Sequence, residues 1–268
     1  GDNGSVDLSS GTVVTSTATE NGAVVVASGD VDTIIDAAGN NVILGGSVGD
    51  IIKANGATAT SNDIVVGDHG VVTYLNGTDL TSVVSIETAD GGDDDIDIIA
   101  GDNIVIGGAG VDSINTGAGN DILLGDNGSV DLASGKVINS SDTANSSGDV
   151  DTIVDTAGNN VILGGTAGDF ITTGADNDII FGDHATVTYA DGVNLSDILS
   201  TEVTDGGADT ITVADGDNIV VGGQAGDVIN TGVNETTAAH DDIIAGDHIA
   251  ATFAGSASLT RIESIDFA

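Results

Sequence analysis

The sequence predicts an all-β fold built from one small unit repeated along the whole chain. Three observations predict it. The chain repeats itself: GDNGSVDL occurs at 1–8 and 125–132, and GNNVILGG at 39–46 and 158–165. A period of nine residues runs inside that longer repeat and sets an aliphatic residue at a fixed point of each unit. Composition favours strands over helices, because 41 of the 268 residues are Gly and the apolar residues are mostly Val, Ile and Ala.

The period is clearest at 107–124, where GGAGVDSIN is followed by TGAGNDILL. Both fit G-G-x-G-x-D-x-U-x with U a large aliphatic, although the second opens with Thr. Four such units fill 89–124, and the block recurs at 27–66, 146–181 and 204–245. The fourth unit carries extra residues in the first block (54–66) and the last (231–245). The sixth slot reads Asp, Asn, Asp, Asp in every block. These are Asp32, Asn41, Asp50 and Asp63; Asp94, Asn103, Asp112 and Asp121; Asp151, Asn160, Asp169 and Asp178; and Asp209, Asn218, Asp227 and Asp242. The eighth slot is aliphatic in every unit, from Ile34 and Ile43 through Ile114 and Leu123 to Ile229 and Ile244.

Segments 1–26, 67–88, 125–145, 182–203 and 246–268 separate the blocks, and each opens Gly-Asp followed by His or Asn. Several continue with a short apolar run, a polar turn such as Asn76-Gly77 or Asp191-Gly192, and a second run. They read as wider coils or hairpins within one continuous array over 1–268. The Ser/Thr-rich stretches at 15–19 and 139–147 read as loop excursions. Blocks and interblock segments together make about thirteen coils, a rod on the order of 60 Å at about 4.8 Å per coil. Tyr74, Tyr189 and Phe253 occupy equivalent interblock positions, where core packing accounts for them.

Charge and composition exclude several functions. Asp and Glu number 43 against 3 Lys and Arg, for a formal net charge of −40. A chain so acidic has too few cations to neutralise nucleic-acid phosphates. No apolar run is long enough for a spanning helix, so no membrane insertion is expected. Without Cys there are neither disulfides nor thiolate metal sites. Lys53, Lys136 and Arg261 do not cluster, and no nucleophile with a His partner is visible, so the chain is not expected to be an enzyme.

What the repeated acids can do follows from their surroundings. Gly at the second and fourth slots permits a tight turn and leaves carbonyl oxygens bare. Calcium takes six to eight oxygens from carboxylates and carbonyls. Stacked like charges repel strongly unless a counterion lies between them. A ladder of Asn and Asp without metal is the competing explanation. The Asp of each Gly-Asp opening (Asp2, Asp68, Asp126, Asp183, Asp247) is either a turn cap or a further ligand. His69, His184 and His248 stand where Asn3 and Asn127 stand elsewhere, which argues against a zinc site.

The nonapeptides resemble the RTX family of calcium-binding repeats, and the resemblance covers the four blocks. It implies a parallel β-roll or β-solenoid with two nonapeptides per coil. The first six residues of each unit would then be a calcium-binding turn and the last three a strand with its aliphatic residue inward. On that basis Asp32 pairs with Asp50, Asp94 with Asp112, Asp151 with Asp169 and Asp209 with Asp227. Asn41, Asn103, Asn160 and Asn218 pair with Asp63, Asp121, Asp178 and Asp242, giving weaker sites because Asn brings a neutral oxygen. Val48, Ala167 and Ala225 depart from the family pattern, standing where Gly is expected.

The function expected is a calcium-binding structural module of an extracellular or cell-surface bacterial protein: an adhesin, a surface layer or a matrix fibre. Its partners would be calcium ions and, end to end, further copies or neighbouring repeats of the same chain. The chain is expected to be cut from, or to polymerise into, a longer array. The alternative is a calcium-triggered secretion and folding region attached to a type I-secreted enzyme or toxin.

Overall fold

The computed structural model describes residues 4–7, 12–16, 29–36, 39–54, 61–141, 149–232, 240–255 and 258–265. Among them there is no helix, so no helix long and apolar enough to cross a membrane. The chain forms three sheets.

The first two are parallel and hold eight strands each. In the first the order is Thr33–Asp36, Ile51–Ala54, Asp95–Ala100, Ser113–Ala118, Thr152–Val154, Phe170–Thr173, Thr210–Val213 and Val228–Asn230. In the second it is Val42–Leu44, Ile64–Val66, Ile104–Ile106, Ile122–Leu124, Val161–Leu163, Ile179–Phe181, Ile219–Val221 and Ile243–Ala245. The chain alternates between the two, with one nonapeptide per strand and two per turn of the winding, consistent with a β-roll. Register follows the eighth slot without a slip: Ile52 pairs with Ile96, Ile96 with Ile114 and Ile114 with Ile153. In the second sheet Val65 pairs with Val105, Val105 with Leu123 and Leu123 with Ile162. These two columns face each other and form one core, with Ile52, Ile96, Ile114, Leu123, Ile162 and Ile180 fully buried.

The third sheet is antiparallel and consists of the interblock segments folded as hairpins. Their strands are Gly4–Asp7 with Thr12–Ser16, Gly70–Leu75 with Asp79–Ser85, Gly128–Asp131 with Lys136–Ser140, Ala185–Tyr189 with Leu195–Ser200, and Ile249–Ala254 with Ser258–Ser264. This sheet packs on the outer face of the second parallel sheet. The seventh and ninth slots there are aliphatic, and Ile64, Val66, Ile104, Ile106, Leu124, Leu163 and Phe181 bury against Val72, Val83, Val130, Ile138, Val187 and Ile198. The corresponding slots of the first sheet, such as Asp95, Asp97, Ser113 and Asn115, lie outside the core on its free face. Burying one such aliphatic side chain is worth about 1.5–3 kcal/mol, so the second layer alone offsets much of the ordering cost of the hairpins. Tyr74, Tyr189 and Phe253 pack in this second core, as their positions predicted.

The expectation of about thirteen coils is corrected here. Interblock segments add no coil to the roll, so the parallel sheets are eight strands deep, about 35 Å of stacking. Two of the expected loop excursions also begin as strand, at Thr15 and Ser16 and at Asn139 and Ser140. Residues 17–19 and 142–147 lie outside the described residues.

Candidate metal centres

The roll has two edges, where the chain turns between the parallel sheets. At one edge it passes from the second sheet to the first, and all eight sixth-slot residues there are Asp. Each backbone N–H donates to Oδ1 of the next Asp along the stack. Asp94 N donates to Asp112 at 2.8 Å, Asp112 N to Asp151 at 2.8 Å and Asp151 N to Asp169 at 2.8 Å. The ladder starts from Asp32 to Asp50 and Asp50 to Asp94, both at 2.6 Å. It ends with Asp169 to Asp209 at 2.8 Å and Asp209 to Asp227 at 3.0 Å. The pairs expected within blocks are therefore neighbours, and so are pairs across blocks: Asp50 with Asp94, Asp112 with Asp151, and Asp169 with Asp209.

The second carboxylate oxygen carries the chemistry. Oδ2 of Asp94, Asp112, Asp151, Asp169 and Asp209 is buried and has no hydrogen-bond donor among the described residues. It points at the glycine opening the turn. A Cβ on Gly107 would lie 2.4 Å from Asp112 Oδ2 and 2.2 Å from Gly125 O, so only Gly lets the carboxylate and the next carbonyl converge. Gly125 repeats this with Asp151 Oδ2 at 2.3 Å and Gly164 O at 2.6 Å. The Gly125 carbonyl accepts one bond, from Gly108 N at 3.0 Å, and a carbonyl has two lone pairs. Burial pushes Asp94 up to about 9, Asp169 to about 9, Asp209 to about 8 and Asp112 to about 7. Burial followed by the charges of Asp126 and Asp112 pushes Asp151 to about 10. Buried carboxylates beside bare carbonyls, with no cationic side chain, form a donor set suited to a hard cation that takes only oxygen.

At the other edge, from first sheet to second, Asn and Asp alternate. The backbone ladder is the same: Asn41 N to Asp63, Asp63 N to Asn103, Asn103 N to Asp121 and Asp121 N to Asn160. It continues through Asn160 N to Asp178, Asp178 N to Asn218 and Asn218 N to Asp242. The amides change what is left over. Asn103 Nδ2 donates to Gly101 O at 2.7 Å and to Asp121 Oδ1 at 2.9 Å. Because Asn103 Oδ1 accepts from Asp63 N, turning the amide over would set N–H against N–H. Asn160 Nδ2 donates to Gly158 O, Asp178 Oδ1 and Asp155 Oδ1, and Asn41 Nδ2 to Gly39 O, Asp63 Oδ1 and Asp36 Oδ2. Asn218 Nδ2 donates to Gly216 O. The Asp levels of this edge still keep a bare oxygen, since Oδ2 of Asp121 and Asp178 is buried with no hydrogen-bond donor among the described residues.

A family model for the RTX calcium-binding nonapeptide repeat matches the chain four times, at residues 22–52, 99–130, 145–180 and 203–233. This is an RTX calcium-binding repeat chain. RTX repeats bind calcium ions and occur in secreted bacterial proteins. No curated protein and no solved structure matches the chain significantly.

Within this RTX chain the aspartate edge fits calcium by its donors, and Asp94, Asp112, Asp151, Asp169 and Asp209 with their glycine carbonyls would hold it. The non-glycine fourth-slot residues keep the turn: Val48, Ala167 and Ala225 adopt φ of 62°, 65° and 75°, beside 130° at Gly110. The Gly-Asp openings act as caps. Asp68 accepts from Gly92 N at 3.1 Å and Ala109 N at 2.6 Å, Asp126 from Thr166 N at 2.5 Å, and Asp183 from Gly207 N at 2.9 Å and from Gln224 N. Asp247 is exposed, and Asp2 lies outside the described residues.

Two features of the RTX site were missed from sequence. Gly67, Gly125 and Gly182 occupy the first slot of the turns completed by Asp94, Asp151 and Asp209, with a hairpin inserted between. The repeated Gly-Asp opening was the available signal. The fifth slot of the asparagine edge forms a second ladder. Asp102 N donates to Asn62, Asn120 N to Asp102, Asn159 N to Asn120 and Asn177 N to Asn159. The column is Asn or Asp at all these positions and was readable as such.

Proposed function

We propose that this chain is a calcium-folded structural module of an extracellular bacterial protein, a β-solenoid segment of an adhesin, surface layer or matrix fibre. The observation that carries the proposal is the row of buried Oδ2 atoms of Asp94, Asp112, Asp151, Asp169 and Asp209, each without a donor among the described residues and facing a glycine carbonyl. Unpaired buried carboxylates cost several kcal/mol each, and calcium binding to the folded state alone would turn that cost into stabilisation. In this role the chain carries no catalysis of its own. It joins further copies or neighbouring repeats end to end, with calcium relieving the repulsion of a −40 chain. The third sheet supports a load-bearing role over a secretion and folding region, because a second core stiffens the roll along its length.

The test is circular dichroism and light scattering on the chain, chelated and then supplied with millimolar calcium. The proposal expects a largely unfolded chelated chain, β-structure on adding calcium, and calcium-dependent linear association. A full β spectrum with a cooperative melt in chelator at neutral pH would overturn the folding part. A strict monomer in calcium at high concentration would overturn the assembly part.

A further inference from the structure

The hairpins bring together a second kind of donor set, away from the Asp ladder. His69 is completely buried, and its Nε2 lies 3.7 Å from Asp90 Oδ2 and 3.9 Å from Glu87 Oε2. The hairpin opened by His184 repeats the arrangement. His184 is also completely buried, and its Nε2 lies 3.7 Å from Glu202 Oε2, with the Asp205 carboxylate in the same group. In each triad the three ligand atoms lie within 4.8 Å of one another. The spacing is identical: eighteen residues from His to Glu and three from Glu to Asp.

Local structure builds the triad in the same way both times. Glu87 and Glu202 have left-handed φ of 54° and 47°, uncommon for Glu. Their carbonyls accept from Asp90 N at 2.8 Å and Asp205 N at 2.7 Å, a tight turn that returns the Asp to the histidine. Ser140 Oγ lies 3.1 Å from His184 Nδ1, which leaves Nε2 aimed at the carboxylates. Such an outer partner is what orients an imidazole ligand. The two triads differ at this point, because Ser47 Oγ sits 3.0 Å from His69 Nε2 itself and 3.3 Å from Asp90 Oδ2, a hydroxyl between the ligand atoms that an ion has to displace or take as a further ligand.

We infer that His69–Glu87–Asp90 and His184–Glu202–Asp205 are two sites for a first-row divalent transition ion of the Zn2+ type, chemically separate from the calcium edge. One imidazole nitrogen with two carboxylates suits such an ion, whereas calcium takes oxygen alone. Metal–ligand distances of about 2.0–2.2 Å place tetrahedral ligand atoms about 3.4 Å apart, so triads whose ligand atoms lie within 4.8 Å of one another close by side-chain movement of about an ångström. The Glu side chains are about one-third exposed, which gives an ion a path in and leaves room for water as the remaining ligand. Asn at 3 and 127 then marks segments without such a site, which removes the sequence argument against one. His248 has Asp266 at the same spacing of eighteen, but Asp266 lies outside the described residues.

The test is a Zn2+ titration of the calcium-saturated chain by calorimetry, with Co2+ absorption as the reporter of imidazole ligation. His69→Asn copies the residue naturally present at 127, which the hairpin accommodates. His69→Asn and His184→Asn are each expected to remove one tight equivalent, and the double variant two, with the calcium-induced β spectrum unchanged. If a His variant fails to fold, Glu87→Gln at the exposed rim is expected to weaken one equivalent by about tenfold or more. Unchanged stoichiometry in the folded double variant, or unchanged affinity in Glu87→Gln, would overturn the inference.

Discussion

The two edges of the roll start from the same sixth slot and the same backbone ladder, and they end with different needs. Along the aspartate edge each Oδ1 is satisfied by a backbone N–H while Oδ2 of Asp94, Asp112, Asp151, Asp169 and Asp209 is left buried without a donor. Along the asparagine edge every second residue supplies an N–H2 group that satisfies a glycine carbonyl and, at Asn41, Asn103 and Asn160, a neighbouring carboxylate oxygen. One oxygen exchanged for nitrogen, at every second level, leaves the second edge with fewer bare oxygens, although Oδ2 of Asp121 and Asp178 is still buried without a donor among the described residues. The first edge therefore holds more buried carboxylate without a compensating donor than the second.

The largest expected effect is the pH dependence of the chelated chain. The folded values of about 9 for Asp94, 7 for Asp112, 10 for Asp151, 9 for Asp169 and 8 for Asp209 lie far above the ordinary carboxylate value. The folded state therefore binds these protons more tightly than the unfolded chain. Their favourable contribution is full below about pH 4 and is lost as pH rises through the folded values. In chelator the β spectrum and its urea midpoint should be greatest near pH 4 and be lost as pH rises towards neutrality and beyond, and calcium should flatten the profile. A chelated midpoint that rises with pH would contradict the burial of these groups.

Single substitutions sharpen the contrast. Asp151→Ala in calcium removes an acceptor for Asp112 N and one ligand, and should cost about 3–5 kcal/mol in a denaturant melt. Asn103→Ala removes donors to Gly101 O and Asp121 Oδ1 and the acceptor for Asp63 N. It should cost about 1–3 kcal/mol, by the same amount with and without calcium wherever both can be measured. A calcium-dependent cost for Asn103→Ala would break the distinction between the edges. The smallest effect is expected at Val48, a β-branched residue at φ 62°. Val48→Gly should be stabilising by up to about 1 kcal/mol, read as a shift in melting temperature.

Much of this was legible because the repeat is strict. The eighth-slot column predicted the roll core, and Ile96, Ile114, Val105 and Leu123 sit there in register. The third layer was legible too, but only by comparing alternate units. Ile104-Val105-Ile106 is apolar throughout, the mark of a strand buried on both faces, while Asp95-Ile96-Asp97 alternates. Of the two readings of the interblock segments, wider coils or hairpins, the hairpin holds, because Gly67 and Asp94 belong to one turn though they lie 27 residues apart, a closure no local pattern encodes. The asparagine column was visible as residues, but its amide direction depends on which backbone N–H faces Oδ1, and that appears only in three dimensions.

The most direct test of the central claim is a calcium count by calorimetry on the chain and on two double variants. Asp112→Asn with Asp151→Asn alters the aspartate edge, and Asp121→Asn with Asp178→Asn alters the other. The account predicts that the first variant loses bound calcium and gains stability in chelator, while the second loses less calcium than the first. Equal losses from both variants, or a loss from the second alone, would contradict it.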